Sequence, residues 1–191
     1  MLNDLVQLNR TYRRFDQSER IPLSTLRELV DLARMCPSGG NKQPLKYMLI
    51  TSEDVCAEVF KQLRWAAYLK DWGGPEEGER PAAYVIVLGD TNISKDFGVD
   101  PGIVMQTIIL GAVEKGYGGC MLANILREQL RAALEIPSRF EILYVVALGK
   151  PVEKVVVEAV GEDGDIKYWH DDQQVHHLPK RSLSDLIFEE K

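Results

Sequence analysis

The chain has 191 residues, enough for one domain or one domain with an appendage, and 45% of them are apolar, the ordinary level for a buried core. A formal charge of −6 excludes a general polyanion binder, so nucleic acid is not an expected partner. Three widely spaced cysteines, Cys36, Cys56 and Cys120, make no zinc or redox pair and fit a reducing, cytoplasmic setting. Residues 1–9 lack the charged and apolar regions of a secretory signal, and the apolar stretch 103–113 is too short to span a bilayer. No membrane is expected as a partner.

Leu2, Leu5, Val6 and Leu8 predict a short first helix. Thr25 with Glu28 reads as a capping box, and Leu26, Leu29, Val30 and Ala33 mark a helical stripe ending near Met35. A buried strand is expected over 47–51 and a helix over 53–69. Residues 71–81, with a Gly73-Gly74-Pro75 run and several acids, read as a loop. An apolar strand follows at 82–89. The stretch 100–115 predicts a long helix, apolar nearly all round and therefore central. Residues 118–123 read as a short strand, 127–134 as a helix and 142–149 as an apolar strand stopped by Lys150-Pro151. Strands separated by helices argue for a layered α/β architecture. In the tail, 155–160 and 165–169 flank Asp163-Gly164 and read as a hairpin, with a short helix at 182–188. An isolated hairpin is marginal in water, so the tail is expected to pack on its own core or on a partner subunit.

Two segments carry the chemistry. Arg10-Thr11-Tyr12-Arg13-Arg14-Phe15 places three guanidinium groups within five residues. Guanidinium forks match phosphate oxygens, and Arg10 and Arg13, three apart, would share one side of a helical turn. The bland alternative is a solvated basic face. Pro37-Ser38-Gly39-Gly40-Asn41-Lys42-Gln43-Pro44 is a turn-rich loop whose hydroxyl and amides can pair with the polar edge of a heterocycle. A plain helix-to-strand connection would not require Ser38, Asn41 and Gln43 together. The two segments suit a small ligand with a phosphate at one end and a flat ring at the other. Gly149-Lys150-Pro151 reads either as a strand terminator or as a lysine near a cofactor. His170, His176 and His177, beside Asp171 and Asp172, are expected to be solvated, and no metal site is assigned. Without a Gly-x-Gly-x-x-Gly after a strand, a Rossmann nicotinamide site is not supported.

In order and spacing these segments resemble the nitroreductase family of FMN-dependent oxidoreductases. The likeness continues through Asp100-Pro101-Gly102, Met105-Gln106, Gly118-Gly119-Cys120 and Ala147-Leu148-Gly149-Lys150-Pro151. The tail 176–183 looks like that of a compact branch. The resemblance implies an α+β fold, an α/β/α sandwich with a central mixed sheet flanked by helices and a domain-swapped C-terminal tail. All 191 residues would form one FMN-binding domain, with 151–191 packing on the partner of a homodimer. Arg10, Thr11 and Arg13 would hold the phosphate side of FMN, with Tyr12 also cofactor-binding. Pro37, Ser38, Gly39 and Asn41 would come from the other subunit, with Gln43 also cofactor-binding. Gly118 and Gly119 would lie against the ring near N5, with Met105, Gln106, Gly149 and Lys150 also cofactor-binding. Thr11 replaces the commoner Ser, and Leu45 stands where an aromatic residue is frequent.

The implied reaction is ping-pong. NADH or NADPH is the reductant, and a small, flat electron acceptor, such as a nitroaromatic or a quinone, takes its place. The family also includes enone, flavin and dehalogenating reductases. No side-chain acid or base is nominated. Residues 65–72 and 76–80 are the candidate substrate lid. The alternative is a flavin carrier or redox sensor without turnover.

Overall fold

The computed structural model describes residues 2–69 and 72–191, so Lys70 and Asp71, within the expected lid and loop, lie outside the described residues. The chain forms two compact units. The first comprises 2–65 and 74–152, and the second comprises 66–69, 72–73 and 153–191.

The first unit opens with α1 (Leu2–Leu8), followed by β1 (Phe15–Asp16) and α2 (Leu23–Ala33). Pro22 sits at the N-cap of α2 with φ −62°, and no side chain caps the helix. The expected capping box is therefore absent: Thr25 lies inside the helix, and Glu28 accepts a hydrogen bond from Lys115 Nζ at 2.5 Å. A 3-10 turn (Gly39–Asn41) leads to β2 (Leu45–Ile50) and α3 (Glu53–Lys61). α3 stops eight residues before the expected end at 69. Beyond it the chain turns to bridge Leu63 with Ile125, and Arg64 N donates to the Asn124 carbonyl. Then come β3 (Ala83–Asp90), α4 (Asp100–Glu114), β4 (Gly118–Leu122), α5 (Arg127–Ala133) and β5 (Phe140–Pro151).

β5 organises the sheet. It pairs with β3 along one edge and β4 along the other; β2 lies outside β3, and β1 joins the end of β5 through Phe15↔Pro151 and Asp16↔Lys150. All of these ladders are antiparallel, whereas a mixed sheet was expected; among the described residues, parallel pairing enters this unit at the isolated Thr11↔Gly119 bridge. β3 is buried at every position, as its unbroken apolar run requires. Leu26, Leu29 and Ala33 of α2 pack with Val104, Ile108, Ile109 and Ala112 of α4 over Val85, Val87, Val146 and Leu148 of the sheet.

α4 is less enclosed than its composition suggests. Val104, Met105, Ile108, Ile109 and Ala112 are buried, but Gly102 and Gln106 are exposed and Ile103, Thr107 and Leu110 half-buried. Apolar residues on such a partly open face are what an interface needs.

The second unit is built on a three-stranded sheet of β6 (Val155–Ala159), β7 (Trp169–His170) and β8 (His176–Lys180), with a short α6 (Leu183–Leu186). The expected tail hairpin does not form. β6 runs parallel to β8, β7 runs antiparallel to it, and 165–168 pairs with neither. The Asp163-Gly164 turn does exist, with Gly164 at φ +70°, but it opens a wide connection instead of joining adjacent strands. α6 carries a capping box at Ser182 and Asp185. No helix among the described residues is long and apolar enough to cross a membrane.

Candidate cofactor site

The motif residues line two separate pockets of the first unit. The first, about 230 Å3, is walled by Asn9, Arg10, Thr11, Gln106, Ile109, Gly119 and Met121. Its architecture follows from one contact: Thr11 bridges Gly119, and Tyr12 N donates to the Gly119 carbonyl at 3.1 Å. The segment after α1 is thereby laid along β4, with the exposed Gln106 of α4 facing the same space. A guanidinium, a hydroxyl, amides and strand backbone converge there, a set of donors suited to an anion.

The arginines divide three ways, and not by helical spacing, since α1 ends at Leu8 and 9–14 is not helical. Arg10 lines the pocket, its Nη1 donating to the Asn9 carbonyl at 2.6 Å. Arg13 is buried and its Nη1 donates to the Thr11 carbonyl at 3.3 Å. Arg14 forms a bidentate pair with Glu79, at 2.6 Å (Nε to Oε2) and 2.7 Å (Nη2 to Oε1). This guanidinium beside Glu79 holds its carboxyl below the usual range.

The second pocket, about 210 Å3, lies between the end of α2, the 37–43 loop, the start of β2 and the start of α4. Cys36, Pro37, Ser38, Gln43, Tyr47, Asp100 and Val104 line it. Asp100 organises it. The carboxylate, on a residue 6% exposed, accepts from Ser38 Oγ at 2.6 Å and from Gly39 N at 3.0 Å. Ser38 Oγ in turn accepts from Gln43 N at 2.9 Å, and Gln43 Nε2 donates to the Asn41 carbonyl and Oδ1 at 3.2 and 3.1 Å. Gly40, Asn41 and Gln43 have φ of 58°, 54° and 51°. Two non-glycine residues in the left-handed region of one short loop are costly, and such strain gathers where a ligand is held. Tyr47 is pushed up to about 12, first by burial and then by the neighbouring Cys36 thiol and Asp100 carboxylate, so it stays a neutral phenol.

Several expected site residues also have packing or hydrogen-bond partners within the chain. The Ser38 hydroxyl, read as a partner of a ligand's polar edge, donates to Asp100, and the Gln43 side-chain amide donates to Asn41 within the loop. Met105 is a core residue, 4% exposed. Gly118, Gly119 and Gly149 answer to packing: a Cβ on Gly118 would meet Tyr12 Cδ2 at 2.5 Å, on Gly119 the Ala147 carbonyl oxygen at 2.8 Å, and on Gly149 the Phe15 Cβ at 2.7 Å. Of the three, Gly119 lines the first pocket, and Gly118 and Gly149 line neither of the two. Lys150 Nζ donates to the Gly116 carbonyl at 3.1 Å. The expected lid segment 76–80 is tied down: Phe15 N donates to the Glu79 carbonyl, and Gln17 exchanges bonds with Gly78. Sequence reasoning passed over Asp100 as a loop anchor and Asn9 as a wall residue. Asp100 entered the family likeness as part of Asp100-Pro101-Gly102, with nothing local to show that it would hold a loop some 60 residues earlier.

A larger cavity, about 590 Å3, lies elsewhere, among Leu23, β2, α3 and 133–135. No expected site residue lines it, and Leu23, Met48, Leu49, Ile50, Val55 and Leu134 give it an apolar wall.

The nitroreductase family model matches residues 9–150, a span that holds both pockets. The chain belongs to the nitroreductase family. This nitroreductase-family chain is 24% identical to a Bacillus subtilis protein named as an NAD(P)H nitroreductase, YodC, over 78% of the chain and 89% of that relative. Among solved structures, the nitroreductase family protein of Streptococcus pneumoniae TIGR4 superposes with a TM-score of 0.73 at 15% identity, covering 100% of both chains. An FMN-dependent nitroreductase of Clostridium difficile R20291 gives 0.65 at 16% identity, over 90% of this chain and 99% of that one. The fold is thus the nitroreductase fold, and the chain is an oxidoreductase.

Proposed function

We propose that this chain is an FMN-dependent oxidoreductase that takes electrons from NADH or NADPH and delivers them to a flat acceptor, such as a nitroaromatic or a quinone. It works as a homodimer with FMN between subunits, and the two substrates use one site in turn. The observation that carries this reading is the division of the motif residues between two pockets of about 230 and 210 Å3. Each falls below the roughly 300–1,000 Å3 of ordinary ligand clefts. Their chemistry is complementary: one offers a guanidinium and strand backbone, the other a strained polar loop and a neutral phenol. A second copy, placed against the open face of α4, would bring one chain's first pocket to the other's second.

The residues fit FMN in this arrangement. Arg10 and the Thr11 hydroxyl would bind the phosphate. Gly119, with no side chain, would let the strand backbone approach the ring. Asp100 would hold the 37–43 loop in place, and Gln106 would reach the ring from α4. Bound FMN would supply the exchange of a hydride between nicotinamide and acceptor. The chain's own part is to bind, orient and exclude water; no side chain is assigned as acid or base. The tail would pack on the partner subunit: β2 is an edge strand, and the apolar 590 Å3 groove beside it is open to a partner's segment. Free Cys36, Cys56 and Cys120 support a reducing, cytoplasmic location.

The test begins with colour. The purified protein should show visible flavin bands and release FMN on denaturation. Either nicotinamide should bleach it without oxygen, and a quinone or nitroaromatic should restore it. Double-reciprocal plots should be parallel. A colourless protein that takes up no added FMN would sink the reading, and intersecting lines would refute the shared site.

A further inference from the structure

Glu153, His170 and His176 come together inside the second unit. His170 Nε2 lies 3.3 Å from Glu153 Oε1 and 2.9 Å from His176 Nδ1, and His176 Nδ1 lies 3.8 Å from Glu153 Oε1. The sheet builds this trio. His170 and His176 are registered partners across β7 and β8, so their side chains share a face. Glu153 precedes β6, and the His176 amide donates to the Lys154 carbonyl at 2.8 Å, which brings that end of the chain to β8. The expectation of solvated histidines is corrected at two positions: His176 is 2% exposed, and the His170 side chain retains 12%. The Glu153 side chain is fully buried. Trp72 meets His170 edge-on at 6.2 Å, and Tyr168 lies 5.3 Å from His176.

We propose that Glu153, His170 and His176 bind a divalent transition-metal ion of the zinc class, which clamps the second unit. Three arguments carry this. The first is shape. Zinc–nitrogen and zinc–oxygen bonds of about 2.0–2.2 Å place tetrahedral ligand atoms ~3.3–3.6 Å apart. The three separations observed straddle that edge, so small side-chain adjustments would seat an ion. The second is chemistry. Two imidazoles and one carboxylate are a borderline donor set that suits zinc and its first-row neighbours better than calcium or magnesium. A divalent ion would meet the Glu153 carboxylate and use both imidazoles at once. The third is need. Among the described residues of this unit only Ala66, Glu153, Val175 and His176 are buried, and β7 is two residues long. A unit with so small an apolar core gains most from a staple, because metal binding free energy becomes folding free energy. Here one ion would join the entry to β6, β7 and β8. Water, entering past His170, would complete the coordination.

The experiment uses the full-length protein, stripped with a chelator and titrated with Zn2+ by calorimetry, then with Co2+ as a spectroscopic probe. One ion per chain, cobalt bands of a four-coordinate site displaced by zinc, and a raised Tm are expected. His170→Ala and Glu153→Gln should each weaken zinc binding at least tenfold. His177→Ala is the control, since His177 faces Glu158 at 3.1 Å and Asp171 at 3.4 Å, a separate surface cluster; it should leave zinc binding unchanged. Absence of stoichiometric zinc binding by the wild-type protein overturns the proposal, whatever the variants do. So does binding that survives His170→Ala but is lost in His177→Ala. Zinc is read directly, so the result stands apart from whether FMN is bound.

Discussion

Glu79 shows what one ionisable residue contributes. Its folded pKa is lowered from 4.5, first by the hydrogen bond from Arg14 and then opposed by partial burial. A carboxylate with a depressed folded pKa adds stability above its unfolded value and loses it as pH falls through the folded one. The Arg14–Glu79 contribution should therefore be complete above about pH 5 and fade below 4.5. The variant Glu79→Gln should show a shallower fall in Tm across that acid limb, and equal slopes in the two proteins would refute the assignment. Asp100 is the second residue to test. Asp100→Ala removes the acceptor for Ser38 Oγ and Gly39 N, each a bond to a charged group worth about 1.5–3 kcal/mol. Flavin affinity should fall at least tenfold, since about 1.4 kcal/mol suffices for that. Equilibrium dialysis against FMN would measure it, and unchanged affinity would show that the loop is held without Asp100.

At the scale of elements, β4 is squeezed between the segment after α1 and β5. Gly119 stands at the tightest point, where an added Cβ would meet the Ala147 carbonyl oxygen at 2.8 Å and Leu148 Cδ2 at 2.9 Å. The backbone oxygen belongs to the β5 ladder and cannot swing aside as a side-chain tip would. Gly119→Ala should cost about 1–3 kcal/mol of unfolding free energy in denaturant titration, the usual penalty of overpacking. It should also reduce flavin retention, because Gly119 lines the first pocket. A variant as stable as the wild type would mean that β4 shifts along β5 more freely than its register suggests.

For the whole molecule, the proposed shared site makes a prediction that no single-chain site would satisfy. Arg10→Ala damages the first pocket and Asp100→Ala the second, and each homodimer should hold flavin poorly. In a heterodimer of the two variants, one site would carry both lesions and the other none. Co-expressed chains separated by different tags should therefore regain about one FMN per heterodimer. Flavin recovery no better than in the homodimers would place both pockets' residues in a site within one subunit. Sedimentation at low micromolar protein should give twice the chain mass.

What the sequence determined is what short range can fix. The apolar run of β3, the amphipathic stripe of α2 and the long apolar α4 are dictated by periodicity, and their bounds in the structure lie within a few residues of those expected. The two motif segments stood out as candidate ligand-binding segments because arginines and a loop of hydroxyl and amide residues rarely serve packing together. Tertiary structure decided the rest. Spacing alone paired Arg10 with Arg13 on a helical turn, but 9–14 is not helical, Arg13 is buried, and Arg14 meets Glu79, 65 positions away. The tail reads as a hairpin because turn chemistry is local, whereas β8, further along the chain, offers a partner to both β6 and β7. That same pairing buries His176 and sets it beside His170 and Glu153. Strand register and burial are set by contacts distant in sequence, so a polar tail can hide a cluster of ligands that its composition would leave in water.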